Sequence, residues 1–242
     1  MPTPPSIAAV AVVVPVRDEQ DRLERCLNAI AGAVSRLPAD LAAQVVIVLD
    51  GCRDGSALVA ARWPFITIEL APAGVGRARA VGVRAALAAL PGIPLDRIWV
   101  ANTDADSEVP ADWLTRQLAL ADAGWDLVLG TVVPNPADLP PELRCAPIAS
   151  AATEGEPIYG ANLGVRAACY QRAGGFLSVP QHEDVRLVAA VRAAGGRITA
   201  CYDSPVLTAG RLQGRAPGGY AGYLRAEAER AASALAVATP AN

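Results

Sequence analysis

The run Ile7 to Val14 is continuously apolar, with three valines closing it. A strand with one wet face alternates apolar and polar residues. This run has no polar residue, so both its faces must be covered, as happens in the middle of a parallel sheet with helices on both sides. Pro15 stops it. Further strands are expected at Val45–Leu49, Phe65–Leu70, Arg97–Ala101 and Asp126–Val133. Helices fall between them. Leu23, Cys26, Leu27 and Ile30 sit at helical spacing within Glu19–Val34, followed by Ala57–Arg62, Arg77–Leu90 after Gly74-Val75-Gly76, and Trp113–Ala123. Strands alternating with helices predict an α/β fold with right-handed crossovers.

After Val133 the pattern breaks. Pro134–Pro157 holds six prolines and reads as an extended excursion. Gly164–Ala173 reads as a short helix, Glu183–Ala194 as a clear one ending at Gly195-Gly196, and Arg197–Tyr202 as a last strand. Gly210–Gly219 is rich in Gly and Arg and precedes a helix at Tyr220–Ala234. No internal repeat is visible.

The 242 residues are 52% hydrophobic and 19% charged, with net charge −3, which supplies a sizeable core and no basic footprint for nucleic acid. All 21 basic residues are Arg, which base composition explains as well as function does. Five scattered cysteines without a Cys-x-x-Cys pair read as a reduced, cytoplasmic chain. The start lacks a basic signal-peptide region, and no apolar run reaches the ~18 residues of a membrane span. Peripheral contact with a membrane stays open, and nothing fixes the oligomeric state.

Asp104-Ala105-Asp106 follows the apolar run Ile98-Trp99-Val100-Ala101. Carboxylates two residues apart at a strand end face the same side of the backbone and repel unless a cation lies beside them. Hard oxygen ligands suit Mg²⁺ or Mn²⁺, ions that usually also bind phosphate. Asp is also a common turn residue. Arg17-Asp18-Glu19 and Asp50 end two other strands, and polar ends along one sheet edge make a ligand crevice.

The ordered series Val12–Glu19, Val48–Ser56, Thr103–Asp106, Gly160-Ala161-Asn162, Gly174-Gly175-Phe176 and Glu183-Asp184 resembles family 2 glycosyltransferases, over residues 7 to about 203. The resemblance implies the GT-A fold, a Rossmann-like, mostly parallel sheet flanked by helices in a single compact domain. Residues 7–133 would bind the nucleotide sugar, 134–209 would form the acceptor and catalytic half, and 210–242 a tail and helix. The implied activity is inverting transfer of a hexosyl group from a nucleoside-diphosphate sugar to an unidentified acceptor hydroxyl, with Mn²⁺ or Mg²⁺.

Carried over residue by residue, Pro15, Val16 and Glu19 match the first nucleotide-contacting loop, and Asp50 the acceptor of a hydrogen bond from the base. Asp50-Gly51-Cys52-Arg53 stands where relatives commonly have two adjacent Asp residues, which leaves the base open. Arg79, with Arg77 as the alternative, matches a diphosphate-binding basic residue, although Ala80 replaces the Asn that follows it in the family. Asp104 matches the carboxylate that contacts ribose or, through water, the metal; Asp106 matches the direct metal ligand. Asp184 matches the catalytic base. Glu183, Gly160, Asn162 and His182 fall to the acceptor or sugar. For Glu19, Glu183 and Asp184 an acid at a helix start is the plainer reading, for the arginines a solvated helix face, and for His182 a surface residue or a metal ligand. Arg211, Gln213 and Arg215 are either a lid over the diphosphate or a polar loop. The late His that serves many relatives as a third metal ligand is missing. That absence and Ala80 leave a non-catalytic nucleotide-sugar-binding protein as the alternative. A sugar-phosphate nucleotidyltransferase would need a Gly-rich loop with Lys where Pro15–Glu19 stands.

Overall fold

A computed structural model of the chain describes residues 5–144, 156, 158–179, 181–214 and 220–238. In chain order the elements are β1 (Ala9–Val16), α1 (Leu23–Val34), β2 (Ala42–Asp50), α2 (Ser56–Ala60), β3 (Ile66–Leu70), α3 (Val75–Ala88), β4 (Ile98–Asn102), β5 (Ser107–Glu108), α4 (Trp113–Asp122), β6 (Leu127–Pro134), α5 (Pro141–Arg144), β7 (Leu163–Arg166), α6 (Ala167–Arg172), α7 (Glu183–Ala193), β8 (Ile198–Thr208) and α8 (Tyr220–Ala238).

They form one eight-stranded sheet in the order β3-β2-β1-β4-β7-β6-β8-β5. The first four strands are parallel, β7 runs antiparallel to both its neighbours, β6 and β8 pair in parallel, and β5 is antiparallel to β8. All eight residues of β1 are buried, as its unbroken apolar sequence requires. Its side chains alternate between two cores. Val10, Val12 and Val14 pack with Leu23, Leu27 and Trp113, while Ala9, Ala11 and Val13 pack with Val83, Val100 and Val165.

The second half departs from the sequence reading. Gly164–Ala173 is not one helix: Leu163–Arg166 is strand β7, wedged between β4 and β6, and only Ala167–Arg172 is helical. Four residues are too few for periodicity to separate a strand from a helix, and pairing on both edges decided it. The last strand runs past Tyr202 to Thr208. Gly130 pairs with Cys201 and Val132 with Val206, so the residues between bulge outward while the ladder continues. The helix expected after Gly74-Val75-Gly76 starts inside that segment, at Val75. Of the Pro134–Pro157 excursion, a 3₁₀ turn at Pro136–Asp138 and the short α5 are described; 145–155 and 157 lie outside the described residues, Cys145 among them. The other four cysteines are free thiols. Among the described residues no helix is long and apolar enough to cross a membrane.

Candidate active site

The parallel strands β1, β2 and β4 deliver their carboxyl ends to one edge of the sheet, and a cavity of about 820 Å³ opens there. Pro15, Val16, Arg17 and Glu19 line it from β1 and its loop, Asp50 from β2, and Asp104 and Asp106 from the loop after β4. A second cavity of about 330 Å³ adjoins it, lined by Gly160, His182, Glu183 and Asp184. Val75, Asp104, Gln181, Thr208 and Tyr220 line both, so the two spaces share a wall.

Asp50 is buried and fixes a loop. Its Oδ1 accepts from the Ala73 amide at 2.6 Å and its Oδ2 from the Gly74 amide at 3.0 Å, while Arg17 lies 3.5 Å from Oδ2. A carboxylate has about four lone-pair sites, so room for one further donor remains.

Each member of the Asp104–Asp106 pair is met by an arginine. Arg79 Nη2 donates to Asp104 Oδ1 at 2.5 Å, and Arg211 Nη2 to Asp106 Oδ2 at 2.6 Å. The same Arg211 nitrogen reaches Glu19 Oε1 at 2.7 Å. Burial, and then the charge of Asp104, push the Asp106 carboxyl up to about 6 even though Arg211 opposes them. A buried carboxylate whose ionisation is resisted by a second one suits a divalent cation, and all the groups on offer are hard oxygens. The residues present therefore fit Mg²⁺ or Mn²⁺, with only two protein carboxylates, so that ligand oxygens or water must complete the shell. Among the described residues the one group of three with ligand spacing is elsewhere, at Asp18, Cys52 and Asp54, where backbone amides of Gln20, Arg53 and Ser56 already occupy the carboxylates.

Arg79, which the resemblance gives to the diphosphate and the plainer reading to a solvated helix face, is on α3 but not solvated. Its guanidinium is buried, paired with Asp104 and Glu183, and stacked 5.7 Å from the Phe176 ring. Burial alone would lower its pKa; Asp104 and Glu183 outweigh that and raise it. Close approach makes this possible. A Cβ on Gly76 would strike the Leu177 carbonyl and press on Glu183, and a Cβ on Gly160 would strike the guanidinium. Arg77, the alternative, is exposed and lines neither cavity.

Asp184 sits in the first turn of α7, with Oδ2 accepting from the Gly160 amide at 2.9 Å and Oδ1 from the Val185 amide at 2.8 Å. Glu183 is buried beside it, its pKa raised by burial against the pull of Arg79. His182 holds the left-handed conformation (φ 61°) that starts α7 and is exposed at the cavity wall. Asn162 lies beneath the cavities and lines neither. It donates to the carbonyls of Thr131 (2.9 Å) and Ser204 (3.0 Å), and accepts from the Trp113 indole at 2.8 Å. Gln213 is exposed, and Arg215 lies outside the described residues. Tyr159, Tyr220 and Tyr223 also line the second cavity; the sequence reading passed over them, though Tyr220 and Tyr223 share one face at the start of a helix.

Residues 11–146, more than half of the chain, match the profile of Glycosyl transferase family 2. The chain belongs to that family. The fold agrees. The S. aureus TarS fragment 1–349, solved with UDP-GlcNAc, superposes with a TM-score of 0.66 at 16% identity, covering 88% of this chain and 61% of that one. The mannosyltransferase PcManGT of Pyrobaculum calidifontis, solved with GDP-Man and Mn²⁺, gives 0.62 at 22% identity, covering 98% and 76%. This family 2 chain thus spans about three fifths of the TarS fragment. No curated protein matches it significantly. The neighbours establish the GT-A fold, with the α/β sheet expected from the sequence.

Proposed function

We propose that this family 2 chain is an inverting, metal-dependent hexosyltransferase, moving a sugar from a nucleoside-diphosphate donor to an acceptor hydroxyl. The observation that carries this reading is the shared wall: the cavity lined by Asp104 and Asp106 adjoins the one lined by Asp184, and Asp104 lines both. The larger cavity is of nucleotide-sugar size. Pro15, Val16, Glu19 and Asp50 line it at the carboxyl ends of β1 and β2, where a base and ribose are received. The relatives solved with UDP-GlcNAc and with GDP-Man and Mn²⁺ support a donor and an ion of these classes.

Asp104 and Asp106 would hold Mn²⁺ or Mg²⁺, which when bound offsets the charge that develops on the departing diphosphate. Asp184 takes the proton of the acceptor hydroxyl as its oxygen attacks the anomeric carbon. Two amide hydrogen bonds fix that carboxylate toward the smaller cavity. Attack from the side opposite the leaving group inverts the anomeric centre. Arg79 acts one step back, orienting Asp104 and Glu183 against each other. Arg211 neutralises Asp106 and Glu19 from the far side.

The test is nucleoside-diphosphate release from a panel of donors and hydroxyl acceptors with Mn²⁺ or Mg²⁺. Asp184→Asn is expected to lose transfer by at least about 10²-fold while donor binding persists. Full transfer by that variant would remove Asp184 from the role of base. Donor binding without transfer by the wild type would favour a nucleotide-sugar-binding protein instead.

A further inference from the structure

The smaller cavity has an amphipathic construction that the transfer reaction alone does not require. Tyr159 and Tyr220 meet edge to face, with ring centroids 5.9 Å apart and planes at 86°. Tyr220 and Tyr223 stack at 5.9 Å and 24°. The three rings therefore form a corner, one face and one edge, and not the parallel slot that a flat aromatic ligand fills. Burial raises the phenol pKa of Tyr220, and that of Tyr223 to about 12, so both stay neutral. Leu224 anchors this corner by packing with Leu139 and Leu143, and α8 lies on α5 through that cluster.

The same cavity is also lined by Asp104, Glu183 and Asp184 and by Gln181 and His182. Arg79 is the one guanidinium lining the cavity among the described residues, and Asp104 and Glu183 already hold it. Without an ion the three carboxylates exceed the one guanidinium, and the charge of an ion on Asp104 would be taken up by the donor diphosphate. An anionic acceptor would be placed against the carboxylates, and like charges brought together in a cavity select against such a partner.

We propose that this cavity is a subsite for an uncharged pyranose ring, seated with its C–H face on the tyrosine corner and its hydroxyls toward Asp184, Gln181 and His182. The proposal rests on the transferase reading above and names its acceptor class. A pyranose has the required two sides: a patch of axial C–H groups that packs on an aromatic ring, and a rim of hydroxyls that both donate and accept. At about 330 Å³ the cavity stands at the small end of ligand pockets, suited to one or two rings. A phosphorylated sugar would lose the charge match, and an alkyl chain would leave the polar wall unsatisfied.

The experiment uses saturation-transfer NMR on the full chain with methyl pyranosides and neutral disaccharides, against hexose 6-phosphates and glycerol 3-phosphate. The pyranosides are expected to bind through their ring C–H protons, and the phosphates about tenfold or more weaker. Tyr223 lines only the smaller cavity, so it isolates the corner. Tyr223→Ala should weaken pyranoside binding about tenfold, the scale of one aromatic packing contact, while Tyr223→Phe keeps it. Donor-induced thermal shift, measured on the same samples, verifies the fold of each variant and tests the transferase reading separately. Absence of any donor shift would overturn that reading even if pyranosides bind. Phosphorylated sugars binding as tightly as neutral ones, or an unchanged pyranoside affinity in Tyr223→Ala, would overturn the subsite.

Discussion

Asp106 is the residue under most electrostatic load. Burial and the neighbouring Asp104 hold its carboxyl at about 6 against an ordinary value of 3.8, with Arg211 and Ser107 pulling the other way. An acid whose folded pKa is raised contributes stability only while protonated: fully below the unfolded value, and lost as pH rises through about 6. At 1.36 kcal/mol per pKa unit, ionisation costs the metal-free protein up to about 3 kcal/mol by neutral pH. Asp106→Asn removes that ionisation without changing shape. The variant is expected to be more stable than wild type at pH 7.5 by about 1–3 kcal/mol, with the gap closing near pH 4. Urea unfolding at both pH values, without divalent ions, measures it. A variant less stable than wild type at pH 7.5 would mean that the Arg211 ion pair outweighs the repulsion. Arg79 presents the complementary case. Its buried charge is useful only with both carboxylates in place, because desolvating a guanidinium costs more than one ion pair returns.

The turn Gly160–Asn162 and strand β7 connect these residues to the sheet. Asn162 binds β6 through Thr131, β8 through Ser204, and α4 through the Trp113 indole, all within a buried setting. Asn162→Ala leaves two carbonyls and one indole N–H without partners. At about 1–3 kcal/mol for each buried group left unsatisfied, a loss of roughly 3 kcal/mol or more is expected in chemical denaturation. Because the turn also presents the Gly160 amide to Asp184, activity of the folded fraction should fall with it. A loss under about 1 kcal/mol would show that water replaces the amide. This pin also shows where sequence reasoning stops. Strands β1, β2, β4 and β6 are legible because apolar runs with few or no polar interruptions can be buried only one way. Strand β7 is four residues running straight into α6, and only its two edge partners make it a strand. The far half of β8 contains Asp203-Ser204-Pro205, which reads as a turn; the bulge opposite Thr131 lets it remain in the sheet, with Pro205 exposed. At the site, the carboxylates were legible because strand ends must present polar groups to one edge. Their partners were not. Arg79 reaches Glu183 across 104 residues and Arg211 reaches Asp106 across 105, and no local spacing encodes such a pair.

Across the whole molecule the site straddles a seam. The parallel strands β3-β2-β1-β4 bring Asp50, Asp104 and Asp106; beyond β4 the sheet turns antiparallel at β7, and the elements there bring Asp184 and Arg211. A diphosphate entering alone meets the paired acids Asp104 and Asp106, and among the described residues the cations lining that cavity, Arg17 and Arg211, are already engaged with Asp50 and with Glu19 and Asp106. A divalent ion arriving alone competes with Arg211 for Asp106 and finds only two protein carboxylates. Each ligand therefore removes the obstacle to the other, and their binding should be coupled, with reciprocal effects on affinity. At about 100 times its dissociation constant a ligand adds about 2.7 kcal/mol, and in a chain of this size each kcal/mol moves Tm by roughly 2–4 °C. Donor with Mn²⁺ is thus expected to raise Tm by roughly 5–10 °C, well above the sum of the shifts from donor alone and Mn²⁺ alone. A two-by-two thermal-shift series decides it. Additive shifts would show that the arginines already do for the diphosphate what the ion was assigned, and that Asp104 and Asp106 serve to hold Arg79 and Arg211 in place.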